Sequence, residues 1–314
     1  MAEKVVCVVG PTACGKTKLG VELAKALNGE VVSVDSMQIY RGMTIGTAAP
    51  TPEEMDGVPH HMVAVADPEE QWSVARYTQA ATACVEDILA RGRRVVLVGG
   101  TGLWLDALIS GRTFAPGQSG GEIRRELEQR FEREGIQGLW TELEQVDPES
   151  AGKLHMADTK RILRALEVYR ETGKTISAHN AETAALPRRY DPVKIGLAFQ
   201  DREDMKALID QRVDKMVEEG LLEEVQALLR RGLPRTATAL QAIGYKEFLG
   251  VLDGTATQDQ AVEEVKLRSR QYAKRQLTWL RRDKEIHWIY WEKERDFDRA
   301  LRLSTEILRA HGLC

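Results

Sequence analysis

An α/β fold, with a parallel sheet core flanked by helices and interrupted by a helical insertion, is what this 314-residue sequence predicts. Three observations point to it. Apolar runs of strand length alternate with helical patterns in the first hundred residues and recur late in the chain. The earliest run leads into Gly10-Pro11-Thr12-Ala13-Cys14-Gly15-Lys16-Thr17, which satisfies every fixed position of the pattern G-x-x-x-x-G-K-[ST]. The stretch from Glu122 to about Gly173 shows helical spacing and no buried-strand run.

Val5-Val6-Cys7-Val8-Val9 reads as a strand buried on both faces. Leu19, Val21, Leu23, Ala24 and Leu27 then form one helical stripe, stopped by Asn28-Gly29. Between strand and helix, Gly10 and Gly15 let backbone N–H groups converge on phosphate oxygens at a helix N-terminus, where the dipole favours negative charge. Lys16 adds a full positive charge, and the Thr17 hydroxyl suits a magnesium ion that also touches phosphate. The loop indicates a di- or triphosphate ligand without naming it.

Glu30-Val31-Val32-Ser33-Val34 is a second buried strand, with Asp35-Ser36-Met37-Gln38-Ile39-Tyr40 at its carboxyl end. Ligands of open parallel sheets bind beyond the carboxyl ends of strands, which puts Asp35 on the rim of the phosphate loop. It is there either a general base or metal partner, or an aspartate capping a turn or helix, and the sequence does not choose between them. Residues 41–71, rich in Gly and Pro, read as a long irregular loop. His60-His61 points two ways with no third ligand near, which argues against a metal site. A helix is expected from about Ser73 to Leu89, then a strand at Val95–Val98 leading into Gly99-Gly100-Thr101-Gly102-Leu103-Trp104, a second glycine turn with a hydroxyl on the same rim.

Around Thr113 to Gly121 the composition shifts to Gly, Pro and Ser, the mark of a linker. The expected division is a core of residues 1–114 and 184–314 and a helical insertion of residues 115–183. Helices are expected at Ile123–Arg133, Leu139–Val146 and Thr159–Tyr169; the last carries a basic face that is either solvated surface or a grip on a phosphodiester backbone. Val193–Phe199 returns to strand character, followed by helices Arg202–Glu219, Leu221–Arg231 and about Thr257–Leu280. Arg268, Arg270, Lys274, Arg275, Arg281, Arg282 and Lys284 form the densest basic cluster, interleaved with Tyr272 and Trp279. That mixture suits nucleic acid, while inward aromatics and outward charges would explain at least part of it. A last strand, Ile286–Trp291, precedes an amphipathic terminal helix.

The net charge of −4 and pI near 6.0 argue against wholesale coating of nucleic acid and leave room for a local basic face. Cys7, Cys14, Cys84 and Cys314 have no paired spacing, so neither a zinc site nor a disulfide framework is expected, and a reducing cytoplasm fits. The chain runs almost directly into its first strand without a leader pattern, and no apolar run reaches membrane-spanning length. No membrane partner is expected, and a monomer is the default.

Taken in order, GPTACGKT (Gly10–Thr17), DSMQIYRGMTIG (Asp35–Gly46) followed by Thr47-Ala48, GGTGL (Gly99–Leu103), RILRALE (Arg161–Glu167), GYK (Gly244–Lys246) and RQYAKRQLTWLR (Arg270–Arg281) resemble the tRNA dimethylallyltransferases. The resemblance implies a P-loop NTPase-like core. It implies transfer of a dimethylallyl group from dimethylallyl diphosphate to N6 of the adenosine 3′-adjacent to the anticodon of a tRNA, releasing diphosphate. Lys16, the loop residues Gly10 to Thr17, and Arg212 would hold diphosphate, with Mg2+ on Thr17. Asp35 would accept the amine proton, and Thr101 would lie near the amine or the diphosphate. Ser36, Met37 and Gln38 would line the tRNA entrance. Arg124, Thr159, Lys160, Arg161, Ile162 and Leu163 would meet the anticodon stem-loop, and Gln241, Gly244, Tyr245 and Lys246 the flanking bases. Ala49 stands where the family usually has lysine and Trp104 where it usually has tyrosine, so position 49 is given no role. A small-molecule kinase would share the loop but predicts ATP consumption and leaves RQYAKRQLTWLR unexplained. An RNA-binding nucleotide switch would lack its guanine-reading N-K-x-D motif here.

Overall fold

Side chains along the first strand alternate between two cores: Val5, Cys7 and Val9 enter one hydrophobic cluster, Val6 and Val8 another. A strand buried on both faces needs helices on both sides, and the rest of the chain supplies them. A computed structural model describes residues 2–114 and 121–313. In order these form β1 (Glu3–Val9), α1 (Lys16–Ala26), β2 (Gly29–Val34), α2 (Pro52–Met55), β3 (His60–His61), α3 (Val74–Ala90), β4 (Arg94–Gly99) and α4 (Gly102–Ser110). Then come α5 (Glu122–Glu134), α6 (Ile136–Val146), α7 (Pro148–Ala151), α8 (Thr159–Thr172) and α9 (Ile176–Ala184). The chain continues with β5 (Tyr190–Phe199), α10 (Arg202–Glu218), α11 (Leu221–Arg230), α12 (Tyr245–Leu252), α13 (Gln258–Leu280), β6 (Ile286–Trp291) and α14 (Phe297–Ala310).

The six strands form one sheet in the order β3-β2-β4-β1-β5-β6, every pairing parallel. Parallel neighbours require crossovers, and the helices between strands are those crossovers. One face packs against α3, α4, α11 and α12, the other against α1 and α14; α10 and α13 contribute residues to both clusters. Among the described residues no helix is long and apolar enough to cross a membrane.

Two compact units result, residues 1–109 with 189–314, and residues 110–188. The sequence set these boundaries at 114/115 and 183/184. The chain leaves and re-enters the sheet unit where the Arg189 amide donates to the Ile109 carbonyl at 3.0 Å. The second unit is helical, with Leu127, Leu139, Leu143, Ile162, Leu163 and Leu166 as its core. Its buried Asp147 accepts from Ser150 Oγ at 2.7 Å and from the Ser177 amide at 3.2 Å, joining the start of α7 to α9. Most of the expected linker, residues 115–120, lies outside the described residues, as does Cys314.

The stretch expected to be irregular, 41–71, contains two elements. Thr51 caps α2 by a reciprocal box with Glu54, Pro52 following at the first helical position. The two residues of β3 pair with β2, too short a run for periodicity to register. His60 Nδ1 contacts the Val58 carbonyl at 2.8 Å, and His61 Nε2 contacts the Glu30 carboxylate at 2.7 Å.

Candidate active site

Register places the site. Val9 stands opposite both Gly99 and Gly196, and Val34 opposite Gly99. The next residues, Gly10, Asp35 and Gly100, therefore leave the sheet at one level, on the rim where parallel sheets take their ligands.

Gly10 has φ 156° and Gly15 φ 87°, and a Cβ on Gly15 would lie 2.7 Å from the Phe297 ring, so glycine is required at both. The side chains of Pro11, Ala13 and Cys14 are buried, so the loop offers its backbone together with Thr12, Lys16 and Thr17. Burial pushes the Cys14 thiol up, and it stays protonated. Lys16 Nζ donates to the Pro11 carbonyl at 2.6 Å. The buried Trp291 indole donates to the Cys14 carbonyl at 2.9 Å and braces the loop from the C-terminal strand. Gln276, buried on α13, accepts from the Thr12 amide at 2.9 Å and donates to the Gly100 carbonyl at 3.1 Å, joining the two glycine turns. Arg212, on α10, donates to Thr12 Oγ1 at 3.3 Å. Burial lowers the Arg212 pKa from its ordinary value, and the Asp35 carboxylate is the foremost group opposing that.

Asp35 Oδ1 accepts from the amides of Met37 at 2.9 Å and Gln38 at 3.3 Å. The turn-capping role is thus real, and the same carboxylate is felt by Arg212 and Tyr272. Thr101 is hydrogen-bonded through its amide to the Val34 carbonyl at 3.3 Å, and its buried Oγ1 faces the Tyr272 phenol. That phenol is pushed up to about 12 by burial and by Asp35, with Thr101 and Gln276 acting the other way.

Lys16, Thr17, Arg212, Asp35 and Thr101 thus come together around one rim. Ser36 and Met37 are half-buried next to it. Gln38 has its amide committed inside: Oε1 accepts from Ser33 Oγ at 3.0 Å, and Nε2 donates to the Ala48 carbonyl at 3.0 Å. Tyr245 is a correction to the expected RNA surface. Its ring is fully buried, because Tyr245 and Phe248 form the inward face of α12. Gly244 precedes that helix with φ 99°, and Gln241 and Lys246 are exposed. In the second unit Ile162 and Leu163 are likewise core, leaving Lys160 and Arg161 exposed and Thr159 half-buried at the start of α8. Arg124 pairs with Glu128 at 2.7 Å.

Sequence reasoning missed Gln276, Tyr272 and Trp291 as parts of the site. Gln276 had a signal: with Ala273 and Leu280 it completes the buried stripe of α13, and a glutamine in such a stripe needs partners. Among the described residues no three His, Cys, Asp or Glu side chains could hold a metal ion. The oxygens at the rim include the Thr17 hydroxyl and the Asp35 carboxylate. Such a set fits magnesium, which takes few protein ligands and completes its octahedron with phosphate oxygens and water.

A model of the family described as IPP transferase matches residues 38–283. The tRNA dimethylallyltransferase of Geobacillus thermodenitrificans is 47% identical over 290 residues, 92% of this chain and 91% of that one. The crystal structure of the full-length tRNA isopentenylpyrophosphate transferase from Bacillus halodurans is 43% identical, with a TM-score of 0.73 over 99% of this chain and 97% of that one. A eukaryotic dimethylallyltransferase solved while acting on tRNA is 28% identical, with a TM-score of 0.82 over 98% of this chain and 80% of that one. These likenesses run the length of the sheet and its rim, and the chain belongs to the IPP transferase family, that of the tRNA dimethylallyltransferases.

Proposed function

We infer that this protein transfers a dimethylallyl group from dimethylallyl diphosphate to N6 of the adenosine 3′-adjacent to the anticodon in tRNA. The observation that carries the reading is the rim itself: a phosphate loop with Lys16 on one strand end, and Asp35 and Thr101 on two neighbouring ends at the same level. A departing diphosphate needs the loop; an amine nucleophile needs the carboxylate beside it.

The target base lies in the anticodon loop and must leave its stack to reach the donor carbon. N6 attacks C1 of the dimethylallyl group while the bond from C1 to the diphosphate oxygen breaks, and the N6 proton passes to Asp35. Lys16, Arg212 and the loop amides stabilise the charge that grows on the leaving diphosphate. The Thr17 hydroxyl would hold a magnesium ion, which would supply further neutralisation of that charge. The Thr101 hydroxyl, beside the Tyr272 phenol, orients the amine or a diphosphate oxygen.

The test incubates protein and magnesium with radiolabelled dimethylallyl diphosphate and an anticodon stem-loop carrying adenosine, or guanosine, at the target position. Label in the adenosine substrate alone supports the reading; no label, with ATP consumed instead, overturns it. Asp35→Ala should bind tRNA nearly as the wild type does and lose transfer, and unchanged turnover would remove Asp35 as the base.

A further inference from the structure

Away from the rim, the carboxylate of Glu224 on α11 accepts five hydrogen bonds. Oε2 takes the Thr44 amide at 2.8 Å, Thr44 Oγ1 at 3.0 Å and the Ile45 amide at 2.9 Å; Oε1 takes the Gly46 amide at 3.1 Å and the Tyr245 hydroxyl at 2.5 Å. Burial and the Glu224 charge both raise the Tyr245 pKa, so the phenol remains a donor. Three successive backbone amides aimed at one anion fix the path of residues 44–46.

That path continues. The Ala48 amide returns to the Ile45 carbonyl at 2.9 Å and the Ala49 amide to the Thr44 carbonyl at 3.0 Å, turning the carbonyls of Thr47 and Ala48 toward Gln38 Nε2. Gln38 is held at its other end by Ser33 Oγ, and its amide rests on Asp35 Oδ1. Ser33 is itself fixed through its carbonyl by the Tyr77 hydroxyl at 2.8 Å. An unbroken series of hydrogen bonds and short chain segments thus joins α11 to the Asp35 turn.

We propose that Glu224 is a positioning residue for the transfer reaction, fixing the Asp35 turn through residues 44–48 and Gln38. The proposal rests on the reading of Asp35 as proton acceptor. Its physical basis is that displacing a reacting group by about 1 Å can cost about 100-fold in rate.

The test is a double-mutant cycle of Glu224→Ala and Gln38→Ala, with kcat and KM measured for both substrates alongside wild type. The wild-type arm stands for the function: if it transfers nothing, that reading has failed and not this one. With wild type active, Glu224→Ala should lower kcat about 10- to 100-fold and change the KM for dimethylallyl diphosphate less than about threefold. The double variant should fall little below the worse single one, because both act through one series. Glu224→Gln, which keeps an oxygen for the Thr44 and Ile45 amides, should recover much of the lost kcat. A folded Glu224→Ala with kcat near wild type, or losses that multiply in the double variant, would overturn the proposal. Should Glu224→Ala fail to fold, the cycle is run with Glu224→Asp, which draws the carboxylate back by one methylene from the Thr44, Ile45 and Gly46 amides and should lower kcat; multiplied losses there, or an unchanged kcat, overturn the proposal equally.

Discussion

Replacing Gln276 by alanine tests whether the two glycine turns must be tied together. The change removes the acceptor of the Thr12 amide at 2.9 Å and the donor to the Gly100 carbonyl at 3.1 Å, at a side chain only 6% exposed. A buried polar group left without a partner costs about 1–3 kcal/mol, so two such groups amount to about 2–4 kcal/mol once water fills part of the space. For a chain of this size that corresponds to a Tm lower by roughly 4–8 °C in a thermal melt. The larger effect should be on catalysis, because the Thr12 amide belongs to the loop proposed to hold diphosphate, and a misaimed donor at a developing anion costs about 100-fold or more. Prenyl transfer to the stem-loop, measured as kcat/KM for the donor, should fall by about that factor. Gln276→Glu should be worse than Gln276→Ala: it keeps an acceptor for Thr12 but sets an anion against the Gly100 carbonyl, beside a loop built for negative charge. A Gln276→Ala protein that melts lower yet transfers at the wild-type rate would refute the argument, as would a Gln276→Glu protein more active than Gln276→Ala.

Lys16→Ala should chiefly raise the donor KM and slow transfer, leaving tRNA binding nearly intact; a normal donor KM with a normal rate, in steady-state kinetics, would contradict its placement on the diphosphate. Glu30 supplies a pH prediction. Arg91 first, and His61 next, hold its buried carboxyl down at about 2, against 4.5 for an ordinary glutamate. The folded pKa is depressed, so the stabilisation is fully present above the ordinary value and is lost as pH falls from about 4.5 to about 2. Arg91 is 42% exposed, so solvent screens much of the pairing and the effect is modest. Melts followed from pH 6 down to about pH 2 should therefore separate wild type from Glu30→Gln at the upper end, narrow the gap below pH 4.5 and bring the two together at the lower end. Parallel curves would show that the carboxylate adds nothing specific.

Much of the core was legible because its signals are local. The runs at Val5–Val9, Val31–Val34 and Val95–Val98 are apolar on both faces, which belongs to parallel strands covered by helices on both sides, and each ends in a turn residue that the register then sets on one rim. What was not legible depends on contacts distant in sequence. Gln276 meets Thr12 across 264 residues and Glu224 meets Thr44 across 180, and no spacing rule reaches that far. The short α2 was readable in principle, since Thr51-Pro52-Glu53-Glu54 spells a capping box, but the prolines around it drew the reading toward loop. Tyr245 was placed on an RNA surface because a motif identifies a stretch without saying which way each side chain turns.

The segment RQYAKRQLTWLR shows how two readings that compete in sequence need not exclude each other on one helix. Charges facing water and a basic, aromatic surface for RNA look like rivals when the residues are read as a string. On α13, Ala273, Gln276 and Leu280 form the inward stripe, and Lys274, Arg275, Arg281 and Arg282 stand exposed around it and just beyond its end. Trp279 belongs to neither side entirely: its ring is 38% exposed while its indole donates to Asp106 at 2.9 Å. The inward stripe carries the amide that ties the phosphate loop to the second glycine turn, and the outward face carries the positive charge. One helix thus carries both an internal tie between two turns and a charged outer surface, which the residues read as a string show only as alternatives.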